Sequence, residues 1–206
     1  MLLLKFEDNV SASNLVNLKD FKKEDILIPE EFYIENILIK GSARTGKTDK
    51  ILLNMFFNVP KGENVRKIYF TTSYNYQDII SNKIVLHSLN KEITEEKLNN
   101  IISDINDDKD VVVYLKTPDI NREKNVIKLE SLLFKLSEKY KMFFFFDEFQ
   151  YLNKLNFITK KISENKDKFY LSVQYSNQLK YAGYTDEEIF FIKEHSKSVD
   201  TEKQNV

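Results

Sequence analysis

The chain of 206 residues contains no cysteine. That absence excludes a disulfide framework, a thiolate metal centre and a cysteine nucleophile together. Histidine occurs only at His87 and His195, too few for a polyhistidine zinc site. Arginine occurs only at Arg44, Arg66 and Arg122, so arginine-dependent chemistry has few sources. No apolar run is longer than Met142–Phe146, far short of the roughly 20 residues of a membrane helix, and no membrane span of its own is expected. The opening Met1-Leu-Leu-Leu-Lys has no basic leader or cleavage site, so a cytoplasmic location is expected. Charge is not biased either: 31 basic against 32 acidic residues leave a net charge of −1. The field of the whole molecule therefore neither calls for nor forbids a nucleic-acid partner. Glycine is the sharpest shortage, with four residues at positions 41, 46, 62 and 183. A chain this poor in glycine uses it where the backbone demands it.

Hydrophobic residues make up 42% and charged residues 31%, the composition of a globular fold and not of a disordered chain. No repeat and no Pro/Gly/Ser-rich linker interrupts the sequence, which reads as one domain over 1–206. Apolar runs of strand length fall at Ile34–Ile39, Lys67–Thr72, Lys83–Leu86, Val111–Leu115, Met142–Phe146 and Phe169–Val173. They are nearly continuous, as strands covered on both faces are, and they alternate with helical periodicity, which predicts an α/β fold around a mostly parallel central sheet flanked by helices. Thr94 opens one helix with Leu98, Ile101, Ile102 and Ile105 on one face; a second carries Val126, Leu129, Leu133, Leu136 and Tyr140. Thr185 and Glu188 have the spacing of a capping box. Residues 1–32 are expected to add an edge strand and loops to the sheet, and 196–206 to form a polar, frayed tail.

Two of the four glycines stand in Gly41-Ser42-Ala43-Arg44-Thr45-Gly46-Lys47-Thr48. This is the phosphate-loop pattern G-x-x-x-x-G-K-[ST] without a mismatch, between a strand and a helix. Glycines let the backbone curl so that successive N–H groups face phosphates, beside a helix N-terminus that favours anions. Lys47 is placed to reach the β- and γ-phosphates, and the Thr48 hydroxyl to join a Mg²⁺ shell. Further on, Met142-Phe-Phe-Phe-Phe-Asp147-Glu148 is a buried-type strand delivering two acids to its end. Asp147 is suited to hold Mg²⁺ through water, and Glu148 to orient and deprotonate an attacking water. A third strand, Phe169–Val173, ends on Gln174. If it inserts between the other two, Gln174 lies beside the γ-phosphate as a sensor or water-positioning group. No glycine is preceded three residues earlier by aspartate, which excludes the D-x-x-G of GTPases. An arginine-rich lid, usual in small-molecule kinases, has only Arg66 and Arg122 to draw on.

Gly41–Thr48, Phe146-Asp-Glu-Phe-Gln150 and Leu171-Ser-Val-Gln-Tyr-Ser-Asn-Gln-Leu179, in this order, resemble the FtsK–HerA superfamily of DNA-pumping ATPases. The stretches around Asp147-Glu-Phe and Gln174–Leu179 are similar to the coupling proteins of type IV secretion. The lack of room for further modules is similar to the small genome-packaging ATPases of membrane-containing viruses. The resemblance implies a RecA-like P-loop NTPase of the additional-strand, catalytic-glutamate type. It also implies ATP and Mg²⁺ as cofactors, double-stranded DNA bound without sequence preference, a homo-oligomeric, hexameric ring, and a capsid or membrane-vertex protein as partner. The function it implies is ATP-driven double-stranded DNA translocation in viral genome packaging; a conjugation, secretion or protein-remodelling ATPase uses the same core. The family supplies an arginine finger in trans between the carboxylate and glutamine strands, where this chain has no arginine. Arg122, Lys160 and Lys161 are the candidates, the two lysines reading equally as a solvated helix face. Lys61, Lys116 and Lys180 are candidate DNA contacts.

Overall fold

The structure, a computed structural model, describes residues 2–3, 26–27, 30–43, 45–72 and 84–201. Its centre is a seven-stranded sheet. The strands are β3 (Ile37–Lys40), β4 (Val65–Thr71), β5 (Ile84–Leu89), β6 (Asp110–Leu115), β7 (Lys141–Asp147), β8 (Lys168–Val173) and β9 (Lys197–Asp200). They lie in the order β5-β6-β4-β7-β8-β3-β9, and every pairing is parallel. The α/β expectation is met, and the sheet is wholly parallel where a mostly parallel one was expected.

Period-two alternation explains why the strands read as unbroken apolar runs. Leu38, Phe70, Phe144, Phe146, Phe169 and Leu171 enter the core on one face. Ile37, Ile39, Tyr69, Phe143, Phe145 and Tyr170 enter the core on the other. Both faces are covered, so neither set can be polar. Across the middle strands the rings form ladders: Phe145 stacks on Tyr170 at 4.4 Å, and Phe70 on Phe146 at 4.9 Å. Such pairs add to the area they bury and hold the strand register.

One face carries the long helices α2 (Glu95–Asn106) and α3 (Glu123–Lys139), with the short α4 (Asn156–Lys161) and α5 (Asp186–Glu194). Thr94 caps α2, its hydroxyl accepting from the Lys97 N–H at 3.3 Å, and Leu98, Ile101 and Ile105 are buried. Ile102 is only partly buried at the edge of that stripe. Along α3 the buried apolar residues are Leu129, Leu132, Leu133 and Leu136, while Val126 is partly buried and Tyr140 stands just past the helix end. The Thr185–Glu188 capping box of α5 is formed in both directions, at 3.2 and 2.9 Å. The other face is covered by Phe32 and Tyr33 and by the segment after β3, where wide π-type turns at Lys47–Leu52 run into α1 (Leu53–Phe57).

Three expectations need correction. The first strand begins at Ile37, not Ile34: a 3₁₀ turn at Glu30–Tyr33 turns Phe32 and Tyr33 inward and leaves Ile34 exposed. The supposed frayed tail is not frayed over 197–201. Those residues form edge strand β9 beside β3, with Val199 and Thr201 fully buried. Val199 is its one apolar side chain, so composition hid it. Within 1–32, β1 (Leu2–Leu3) and β2 (Ile26–Leu27) pair with each other in a separate two-stranded sheet instead of extending the main one. The edges of the main sheet are β5 and β9.

Candidate nucleotide site

In a parallel sheet all strands release their chain at the same edge, and ligands gather where neighbouring connections diverge. Here the C-terminal ends of β3, β8 and β7 stand side by side, with β8 between the other two. The segments bearing Gly41–Thr48, Gln174 and Asp147-Glu148 are therefore adjacent, although up to 133 residues separate them. The insertion of the glutamine strand expected from the motif order is present.

The phosphate loop leaves β3 at Lys40. Gly41 has φ +152° and Gly46 has φ +89°, conformations that L side chains rarely adopt. Gly41 N–H donates to Gln174 O at 3.3 Å, tying the loop to the end of β8. The Lys47 side chain is buried and its ammonium donates to Gly41 O at 2.6 Å and Ser42 O at 2.8 Å. A buried ammonium needs such acceptors, and phosphate oxygens would be stronger ones. Thr45 hydroxyl donates to Ser42 O at 3.0 Å. Ala43 is exposed, and Arg44 lies outside the described residues.

Asp147, the last residue of β7, is almost fully buried. Its Oδ1 accepts from Thr48 Oγ1 at 2.8 Å and from Ser172 Oγ at 2.8 Å. Its Oδ2 is buried with no hydrogen-bond partner. Burial pushes the carboxyl up to about 6, against the two hydroxyl bonds that favour its charge; the neighbouring Glu148 adds to the rise and Lys47 opposes it. An orphaned carboxylate oxygen beside a threonine hydroxyl is an oxygen donor set of the kind a hard cation accepts. Thr48 and Asp147 thus fit Mg²⁺. Among the described residues no cluster of three or more His, Cys, Asp or Glu could hold a metal, so such an ion would take its remaining ligands from water and phosphate.

Glu148 follows in the left-handed region, at φ +53° and ψ +44°. This bend ends the strand. Its N–H donates to Ser172 Oγ at 3.0 Å, and its Oε2 accepts from the buried Gln150 amide. Gln174 is partly buried, and its amide lies 3.5 Å from Tyr151 Oη. Two residues here had no role assigned from sequence. Ser172 joins Asp147 to Glu148, and its signal is a small polar residue inside an otherwise apolar strand. Gln150 holds the Glu148 carboxylate; its burial could not be read from its position after the acids.

The remaining candidates separate. Arg122 stands just before α3 at the same sheet edge, two-thirds exposed and paired with Asp119 at 2.9 Å. Its loop is joined to the one after Glu148, because Asn121 Nδ2 donates to Tyr151 O at 2.8 Å and Asn153 N–H to Asn121 Oδ1 at 2.8 Å. Lys160 lies over the Phe134 ring and Lys161 pairs with Glu164 at 2.8 Å. The adjacent Ile162 O accepts from Asn36, which precedes β3, so these lysines belong to the opposite edge. Lys116 and Lys180 are exposed near the nucleotide edge, Lys180 paired with Asp186 at 2.6 Å. Lys61 lines a cavity of about 620 Å³ at the far edge. In that cavity Lys67 pairs with Asp110 at 3.1 Å and Arg66 with Asp108 at 3.3 Å.

No family model matches the chain, and no curated protein matches it. Similar solved structures include B204, the DNA-packaging ATPase of Sulfolobus turreted icosahedral virus. That likeness has 15% identity and a TM-score of 0.48 over 79% of this chain and 72% of that one. The genome-packaging NTPase B204 of Sulfolobus turreted icosahedral virus 2 is similar in complexes with ATP-gammaS and with AMP. Both have 17% identity and cover 79% of this chain and 82% of that one, with TM-scores of 0.47 and 0.45. Strand order and pairing in this chain, not these likenesses, define its fold class. Among the described residues no helix is long and apolar enough to cross a membrane.

Proposed function

We propose that the chain is a Mg²⁺-dependent ATPase that drives double-stranded DNA, as the motor of viral genome packaging. The observation that carries the nucleotide reading is the 2.8 Å bond between Thr48 and Asp147, which joins the end of the phosphate loop to the carboxylate strand across β8. The DNA reading is supported by the resemblance of Asp147-Glu-Phe and Gln174–Leu179 to DNA-pumping ATPases.

In this reading the N–H groups of the Gly41–Thr48 loop receive the phosphates of ATP. Lys47 exchanges its two carbonyl acceptors for phosphate oxygens, a change that strengthens with the negative charge developing in the transition state. Thr48 and Asp147 hold Mg²⁺, which when bound neutralises charge on the β- and γ-phosphates. Glu148 takes a proton from water as the water oxygen bonds to the γ-phosphorus. The bond from that phosphorus to the bridging oxygen breaks, and ADP leaves with the electron pair. Ser172 and Gln150 set the direction of Glu148 by holding its N–H and its carboxylate. Gln174 couples loss of the γ-phosphate to movement, because its carbonyl is bonded to the loop. The assembly is a homo-oligomeric, hexameric ring, with Arg122, exposed on the nucleotide edge, as the finger offered to a neighbour. Lys116 and Lys180 contact DNA phosphates without reading sequence.

The test is the ATPase rate with and without double-stranded DNA. Stimulation that fades as salt rises is expected, since phosphate contacts release counterions. Turnover indifferent to DNA but raised by a protein partner would move the chain to the secretion or remodelling class.

A further inference from the structure

The phosphate loop is held on its second side by a residue that no motif includes. Thr201 follows β9 directly and is fully buried. Its N–H donates to Lys40 O at 2.9 Å, and its Oγ1 lies 2.6 Å from Thr45 Oγ1 and 3.1 Å from Lys40 O. A hydroxyl has one proton. Lys40 O already receives the Thr201 N–H, and Thr45 spends its own proton on Ser42 O, so the shorter Thr201 contact is the hydroxyl bond. The chain of donors runs from Thr201 to Thr45 to Ser42 O, the carbonyl that also receives Lys47. The packing is as close as the bonding: a Cβ at Gly41 would lie 1.8 Å from Thr201 Oγ1 and 2.8 Å from Thr45 Oγ1. With Gly41 N–H bonded to Gln174 O on the other side, the loop is fastened to both strands that flank β3.

We propose that Thr201 is a positioning residue of the phosphate loop: its hydroxyl fixes Thr45 so that the loop keeps its open curl when Lys47 leaves Ser42 O for a phosphate. The inference rests on the reading of Gly41–Thr48 as a nucleotide loop. It makes the edge strand β9 part of that site and gives Thr201 a direct hold on nucleotide affinity. Pre-forming the loop removes an ordering cost from binding, and loss of one hydrogen bond of this kind should weaken binding about three- to tenfold.

The experiment is titration with a fluorescent ATP analogue plus Mg²⁺, together with steady-state ATPase kinetics, on the whole chain. Thr201→Val keeps the shape and removes the proton. It should weaken binding and raise KM three- to tenfold with kcat within about twofold, while Thr201→Ser restores wild-type affinity. Thr45→Val removes this bond together with the one to Ser42 O, so its loss should be at least as large, and the double variant should be no worse than Thr45→Val alone, because the shared bond has been removed twice. A folded Thr201→Val that binds like wild type overturns the proposal, as does additive loss in the double variant. If Thr201→Val does not fold, Thr45→Val decides, and wild-type affinity in it refutes the proposal. Wild-type protein that binds no nucleotide refutes the nucleotide reading and this inference with it; normal wild-type binding with unaltered variants refutes this inference alone.

Discussion

Replacing Asp147 by asparagine should stabilise the metal-free protein while abolishing the proposed Mg²⁺-dependent ATPase activity. Burial raises this carboxyl from 3.8 to about 6. Above pH 6 the folded chain therefore holds a charge that the unfolded chain would carry more comfortably. A difference of about two pKa units corresponds to about 3 kcal/mol of destabilisation at neutral pH. Asparagine removes that charge, and its carbonyl can still accept from Thr48 and Ser172. Its NH₂ then replaces Oδ2, which has no partner, and an unsatisfied buried donor costs about 1–2 kcal/mol. The net gain is about 1–2 kcal/mol, or roughly 2–8 °C in Tm for a domain of this size. The sign with pH follows from linkage. Between about pH 4 and 6 the native carboxyl binds a proton that the unfolded one does not, so this contribution to wild-type stability grows as pH falls. The advantage of the variant should then be full at pH 7.5 and shrink toward pH 4.5. Thermal or urea unfolding of both proteins, free of metal and nucleotide, measures the difference and cancels the other carboxylates. A variant less stable than wild type at pH 7.5, or an advantage unchanged with pH, would refute the reasoning. Stability given up at Asp147 is what its proposed role as a metal ligand leads one to expect.

Other outcomes are equally specific. Glu148→Gln should bind ATP as wild type does and lose turnover by a factor of at least about 100; normal turnover would remove Glu148 from the mechanism. Gly41→Ala should abolish binding of the fluorescent nucleotide, because the new Cβ meets the Thr201 hydroxyl at 1.8 Å and φ is +152°. Asn36→Ala should lower unfolding stability by about 2–4 kcal/mol in urea. It removes bonds to Ile162 O, His195 O and Phe169 N–H at the far edge of the sheet, and the nucleotide affinity of the folded fraction should not change.

The phosphate loop was legible because it is local: glycines, lysine and threonine act through backbone geometry within eight consecutive residues, so their spacing is their structure. Asp147 and Glu148 were legible for a related reason, since a strand apolar at every position must be covered on both faces and can release acids only at its end. Their partners were not. Ser172, Gln150 and Thr201 owe their roles to a sheet order that brings separate strand ends within hydrogen-bond distance, and none has a spacing that announces it. Strand β9 shows the same limit. Lys197–Asp200 looks like a solvated tail because an edge strand is held largely by backbone bonds, which side-chain pattern does not record. Scarcity of glycine located the candidate nucleotide loop in the sequence. Only the tertiary structure decided what keeps that loop open, because its fastenings come from β8 and from Thr201, more than 130 residues along the chain.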